Sequence, residues 1–102
     1  MTANPARGEA TLYLDTQTLL LRPSFAALVA AEEEIGPLFA LVERAAAGEL
    51  KLSEMVTLFW HCLAAKPDEF TRASFADAVA NMGLAAATPA LKALLGQILA
   101  GR

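Results

Sequence analysis

Leu19-Leu20-Leu21-Arg22-Pro23-Ser24-Phe25-Ala26-Ala27-Leu28 is the stretch on which the fold turns. Its first four residues form a short extended run, and Pro23 stops it because proline has no N–H to offer a continuing ladder. Ser24 can accept from the free N–H groups of a helix start, so a helix is predicted from there to Ile35, with Gly36 suited to the left-handed position that ends it. Toward the N-terminus, Ala10, Leu12 and Leu14 alternate with Thr11 and Tyr13, the period of a half-buried strand. Asp15-Thr16-Gln17-Thr18 reads as the turn between the two runs, which makes them a β-hairpin. Two strands alone are marginal, so the hairpin is expected to lie on the helices that follow.

Those helices are punctuated in the sequence. Pro37 suits the first turn of a second helix, which carries Leu38, Leu41, Val42 and Ala45 at helical spacing and stops near Gly48. Ser53 reads as the cap of a third, running to about Ala65 and ended by Pro67. Thr71 caps a fourth, with Phe75, Ala78, Val79 and Met82 as its stripe and Gly83 as its stop. Thr88-Pro89 reads as the opening of a fifth, with Leu91, Leu94, Leu95, Ile98 and Leu99 on one face. The predicted fold class is α+β, mainly α: an N-terminal β-hairpin packed on a bundle of about five short helices. It is expected to form one domain over residues 1–102, with residues 1–8 flexible.

Composition narrows the function. The 102 residues are 56% hydrophobic and 19% charged, enough for one core and too few for two domains. The net charge of −3, with Lys and Arg scattered from Arg7 to Arg102, gives no basic footprint for a phosphate backbone, so no nucleic-acid partner is expected. The longest charge-free stretch, Ala78 to Leu91, is broken by Asn81, Gly83, Thr88 and Pro89 and is shorter than the roughly 18 to 20 apolar residues of a spanning helix. No membrane partner is expected, and residues 1–9 lack the apolar run of a secretory signal. One cysteine cannot form an internal disulfide, which suits a reducing cytoplasm.

No constellation for catalysis, metal or cofactor emerges. His61 and Cys62 are neighbours, so on a helix they diverge by about 100° and cannot share a metal or act as base and nucleophile. Cys62 falls on the side of Met55, Phe59 and Leu63 and is expected to be a buried, inert thiol. The glycines occur singly, and the adjacent carboxylates Glu32-Glu33-Glu34 point apart, as on a solvated helix end. Catalytic, cofactor-binding and metal residues are therefore expected to be none.

Three residues stand out as candidate contacts for a partner protein: Glu32, Trp60 and Phe39. With Phe25 as origin, Leu28, Val29, Glu32 and Ile35 all fall within about 80° of it, which places Glu32 inside an apolar stripe. A charge there needs either a cation such as Arg44 or a polar contact on a partner. Trp60 falls on the flank of the third helix, near Ser53, Thr57 and Ala64, so its indole either packs under a neighbouring loop or stands at an interface. Phe39 lies beside its helix stripe in the same way. With the alanine-rich flanks, these residues are the apolar surplus where a helical partner is expected to dock.

The order of the pieces resembles a known family. Asn4-Pro5-Ala6-Arg7-Gly8-Glu9 before a short hairpin, Leu21-Arg22-Pro23-Ser24-Phe25-Ala26-Ala27-Leu28 opening a helix, and Glu32-Glu33-Glu34-Ile35-Gly36 resemble the small tail protein of gene transfer agents and related phages. Leu38 to Gly48, Leu58-Phe59-Trp60-His61-Cys62-Leu63, and Gly83-Leu84-Ala85-Ala86-Ala87-Thr88-Pro89-Ala90 with Leu94-Leu95 and Gly101 extend the likeness over nearly the whole chain. Asp15-Thr16-Gln17-Thr18 departs from the Asp-Gly type of turn expected there.

The resemblance implies a non-enzymatic protein, with the tape measure protein and the tail tube protein as partners and self-association open. The family is labelled phage tail tube protein and is also viewed as a tail assembly chaperone. Two short strands and five helices do not suit a tube subunit, which needs a substantial β-sandwich or barrel. The chaperone is therefore favoured, working in the cytoplasm of the host bacterium and binding amphipathic helices in grooves. A structural minor tail or tail tube component is the alternative, and an unrelated bacterial helical adaptor a further one.

Overall fold

The change of period at Pro23 divides the molecule into hairpin and helices. In the computed structural model, which describes residues 9–14, 17–66 and 70–100, strand β1 (Ala10–Tyr13) pairs antiparallel with β2 (Thr18–Leu21) in the register Ala10↔Leu21 to Tyr13↔Thr18. Ala10, Leu12, Leu19 and Leu21 share one face and are buried, while Tyr13 and Thr18 face solvent, as the alternation requires. Leu14 and Gln17 exchange backbone hydrogen bonds of 2.8 and 3.3 Å that close the hairpin. Thr18, assigned to the turn by the sequence, is thus the first residue of β2. Asp15 and Thr16 of that turn lie outside the described residues, as do residues 1–8 and Pro67.

Five helices follow among the described residues: α1 (Phe25–Ile35), α2 (Leu38–Ala46), α3 (Leu52–Cys62), α4 (Arg72–Met82) and α5 (Leu84–Ala100). The caps of α1 and α4 are those the sequence indicates. Ser24 Oγ accepts from the Ala27 N–H, Thr71 Oγ1 accepts from the Ser74 N–H, and Gly36 and Gly83 end these helices at φ 87° and 92°. At Gly83 the chain bends by 112° into α5.

Two helix boundaries differ from expectation. Helix α3 starts at Leu52, with Lys51 and not Ser53 at the cap position. There the Glu54 carboxylate, in the first turn, accepts from the Lys51 N–H at 3.0 Å and so reaches back to the cap residue's own backbone. It ends at Cys62, short of Ala65, because the chain turns extended to bridge β2. Leu63 pairs with Leu21, Arg22 N–H donates to the Cys62 carbonyl, and Ala64 N–H donates to the Leu20 carbonyl. Helix α5 starts at Leu84, so Thr88-Pro89 lies inside it and not at its start. Proline removes the hydrogen bond to the Ala85 carbonyl. Ala85 is exposed, which leaves that oxygen to solvent, while Ala87, Ala90 and Leu94 on the opposite face are buried in the core.

The core centres on α3, whose Met55, Val56, Leu58, Phe59 and Cys62 are all buried, joined by Leu41 of α2, Phe75 and Val79 of α4, and the inner face of the hairpin. Alanine is part of it. Ala31, Ala87 and Ala90 are buried, so at these three positions alanine is not flanking surplus but lets helices approach closely. Ahead of β1, Glu9 is buried and takes a 2.8 Å bond from Arg22 Nε across the hairpin base. Burial of that carboxylate is tolerable because a guanidinium faces it.

Candidate protein-interaction surface

The three residues singled out from the sequence occupy three different settings. Phe39 is 75% exposed on α2. Trp60 is half-buried: its ring packs 5.7 Å from that of Phe75, and the Lys66 ammonium stands 5.2 Å from its centroid. The indole is therefore held on its own flank of the helix by α4 and by the segment after α3. Glu32 is exposed, and its Oε2 accepts from the Leu38 N–H at 3.1 Å, which satisfies a free donor at the start of α2. It is not paired with Arg44, which bonds Glu54 of α3 instead. The stripe drawn from Phe25 holds in part: Leu28 and Ile35 pack against the core, whereas Phe25 is 84% exposed and the fully buried residue of α1 is Ala31. No hydrogen bond or ring contact joins Phe39, Trp60 and Glu32 among the described residues.

The third carboxylate of the acidic run is a structural tie. Glu34 of α1 bonds His61 of α3 and, at 2.8 Å, Arg72 of α4, and Arg72 also donates to Thr57 Oγ1 at 3.1 Å. The Arg72 hydrogen bond, then that of His61, holds the Glu34 carboxyl below its ordinary range. The Glu54 carboxyl is lowered as well, first by the Lys51 N–H and then by Arg44. Burial pushes the Cys62 thiol up to about 12, so it stays protonated and unreactive at neutral pH. No group of three or more His, Cys, Asp or Glu among the described residues is placed to hold a metal.

Apolar surface is left open in two grooves that share Leu52 in their linings. One, of about 220 Å³, lies where the end of α2, the start of α3 and the first half of α5 meet, lined by Ala45, Leu50, Leu52, Met55, Leu84 and Leu91 with Lys51 at its edge. The other, of about 400 Å³, lies between α3 and α4, lined by Leu52, Val56, Ala73 and Ala76 with Arg72 at its edge. Leu52 belongs to both and is 46% exposed, and Leu84 is 57% exposed. A larger hollow of about 530 Å³ lies over the outer face of the hairpin, but its lining mixes threonines, Arg22 and Lys66 with Leu20.

This small helical domain with open apolar surface is matched over residues 7–101 by the model of the family described as "Phage tail tube protein, GTA-gp10". The chain belongs to that family. The match takes in the hairpin and the five helices of the described residues. No curated protein and no solved structure matches the chain.

Within this tail-protein fold, sequence reading missed Leu52 and Leu84. Both are the first residue of a helix, where the apolar side chain projects beyond the turn that would cover it. Reading Ser53 as the cap leaves Leu52 outside the helix, and reading Thr88-Pro89 as a helix start leaves Leu84 in a loop. Among the described residues no single helix is long and apolar enough to cross a membrane.

Proposed function

We propose that this chain is a non-catalytic, protein-binding component of a phage-type or gene transfer agent tail, acting at the tail tube. The observation that carries the proposal is the family match over 95 of the chain's 102 residues, 7 to 101 inclusive. Membership in a family described as tail tube protein supports a component of the particle more directly than it supports a chaperone. Mass spectrometry of purified particles tests this reading: it requires the chain in stoichiometric amount along the tail. Particles with normal tails that lack the chain would overturn it.

A second reading, a tail assembly chaperone for the tape measure protein, is favoured by one observation. The described residues hold two strands of four residues each, and five helices. Closed rings built through β-sheets need more strand than that, whereas helices with open apolar grooves suit the capture of an amphipathic helix. Co-expression separates the two. A chaperone keeps the tape measure protein soluble and is absent from finished tails; insoluble tape measure protein in its presence counts against this role.

Of the three candidate contacts, Phe39 is the side chain free to meet a partner in either reading. Trp60 would have to leave Phe75 and Lys66, and Glu32 would have to leave the Leu38 N–H. The tail tube protein and a second copy of the chain are further partners consistent with the proposal. The site of action that follows is the host cytoplasm during particle assembly.

A further inference from the structure

The two long edges of the hairpin are finished differently. Leu14 and Gln17 exchange hydrogen bonds, so in the observed register Leu12↔Leu19 and Ala10↔Leu21 are the other bonded pairs, and the N–H and C=O groups of Thr11 and Tyr13 point away from β2. On the β2 side the outward groups are taken up: the Leu20 carbonyl accepts from the Ala64 N–H, and the Arg22 N–H donates to the Cys62 carbonyl. On the β1 side, no hydrogen bond among the described residues reaches the outward groups of Thr11 and Tyr13. Tyr13 is 68% exposed and Thr11 half-buried, so this row of two donors and two acceptors is open to an incoming chain.

Nothing in the sequence of β1 blunts that edge. Ala10-Thr11-Leu12-Tyr13 holds no proline and no charge, and its register with β2 runs without a bulge. The open edge also has a floor. Helix α5 packs against β1 far more than against β2, so it lies toward the open side of the hairpin. Its Leu94 is buried, and its Leu95 and Ile98 are half-buried against the same core as Leu12. A chain extended alongside β1 therefore finds hydrogen-bond partners at its edge and apolar side chains below it.

The position of α5 also decides between occupants. Two copies pairing β1 with β1 antiparallel about a two-fold axis would form one sheet with both α5 helices on the same side. Paired strands stand about 4.8 Å apart, whereas packed helices need about 8–10 Å between their axes. Two α5 helices under neighbouring β1 strands would collide, and a strand from a different protein brings no second α5. We infer that the outer edge of β1 takes an extended segment of another protein as a further, antiparallel strand. The residues of that segment opposite Thr11 and Tyr13 supply partners for all four outward main-chain groups, and the residues between them are apolar and rest on α5. The inference rests on the protein-binding role proposed above and adds the chemistry of the partner.

The probe is a synthetic peptide of about ten residues, the upper end of ordinary strand length, in which threonine and valine alternate between terminal lysines. Two derivatives carry N-methyl groups, one on the threonines and one on the valines. In an antiparallel ladder, residues bonded to Thr11 and Tyr13 put their side chains on the same face as those two, so the valines rest on α5 and the threonine N–H groups meet β1. Binding is read by fluorescence anisotropy and by amide hydrogen exchange of the full chain. In the free chain the Thr11 and Tyr13 amides should exchange faster than that of Leu12, and the unmethylated peptide should slow both. Methylated threonines should weaken binding at least about tenfold, the scale of one lost hydrogen bond, and methylated valines far less. Tyr13→Pro should weaken binding by a similar factor and still fold, since its N–H is outside the ladder with β2 and proline is accepted on edge strands. Phe39→Ala, on α2, should change nothing.

No binding, equal losses with the two methylated peptides, or binding that leaves exchange at Thr11 and Tyr13 unchanged would overturn the inference. Dimers that disappear with Tyr13→Pro would also overturn it, by assigning the edge to a second copy. If Tyr13→Pro does not fold, the two methylated peptides still decide. A complementation assay keeps this failure apart from failure of the tail role. Normal tails with Tyr13→Pro sink the edge alone, whereas normal tails in the absence of the chain sink the proposed function.

Discussion

Helices α1 and α3 are each eleven residues long and each carries an apolar stripe, yet one is a rim and the other the centre of the core. In α3 five side chains are fully covered. In α1 only Ala31 is, and Phe25 at its first turn is almost wholly in solvent. The difference lies in the neighbours. α1 packs on one side of α3, α4 on another, and the chain beyond Cys62 joins β2, so α3 is enclosed on several sides. Periodicity sets which residues share a face; how many elements close over that face decides whether they are buried.

The strongest way to break this comparison is to truncate the same residue type in each helix. Phe59→Ala in α3 empties a fully buried site and is expected to cost about 3–5 kcal/mol of unfolding free energy. Phe25→Ala in α1 should stay within about 0.5 kcal/mol, as exposed substitutions do. Urea unfolding of the two variants measures both. Similar losses would mean that α1 is covered in solution in a way the fold does not show.

The same contrast explains what could be read from the sequence. The core face of α3 was legible down to Cys62 because a helix enclosed on many sides buries its whole stripe, and periodicity alone then suffices. The hairpin and the caps at Ser24, Thr71, Gly36 and Gly83 were legible because they are local chemistry. The partner of Glu32, the Leu38 N–H, is not legible because it arises only from the way α2 follows α1. The end of α3 and the start of α5 were missed for a related reason. Long-range pairing with β2 stops α3 early, and burial of Ala87 and Ala90 extends α5 across a proline. The grooves around Leu52 were missed because they depend on three helix ends meeting, which no window of sequence contains.

The bend at Gly83 sharpens the comparison at the level of backbone. Gly83 has φ 92° and ψ 146°, a conformation open to glycine and costly to any residue with a Cβ. Gly83→Ala is expected to destabilise by about 1–3 kcal/mol although no atom crowds the position. Gly96, inside α5 with open space around it, offers the opposite case. Gly96→Ala should stabilise by up to about 1 kcal/mol, because alanine loses less chain entropy in a helix. By thermal and by urea unfolding alike, the two glycine-to-alanine variants should therefore move in opposite directions. Movement in the same direction would show that the angle at Gly83 is not fixed.

A smaller effect tests how α1 is fastened to α3 and α4. The Glu34 carboxyl is held below its ordinary value of 4.5 by Arg72 and His61, so its contribution to stability is present above that value and is lost as pH falls through the lower, folded value. Glu34→Gln should remove this part of the acid dependence, giving a shallower fall in the urea midpoint below about pH 4.5. The residue is exposed, so the change at neutral pH should be slight. An acid limb identical to that of the parent protein would mean that the tie does not form in solution.

The smallest expected effect on stability concerns the side chain with the most to say about function. Phe39 is nearly as exposed as Phe25 but lies on α2, and Phe39→Ala should change unfolding by less than about 0.5 kcal/mol. That neutrality makes it informative. A fold that is untouched while tail assembly falls would place a partner on Phe39 itself, since nothing inside the molecule depends on the ring. Assembly at parental levels would show that the exposed ring of α2 is ordinary surface.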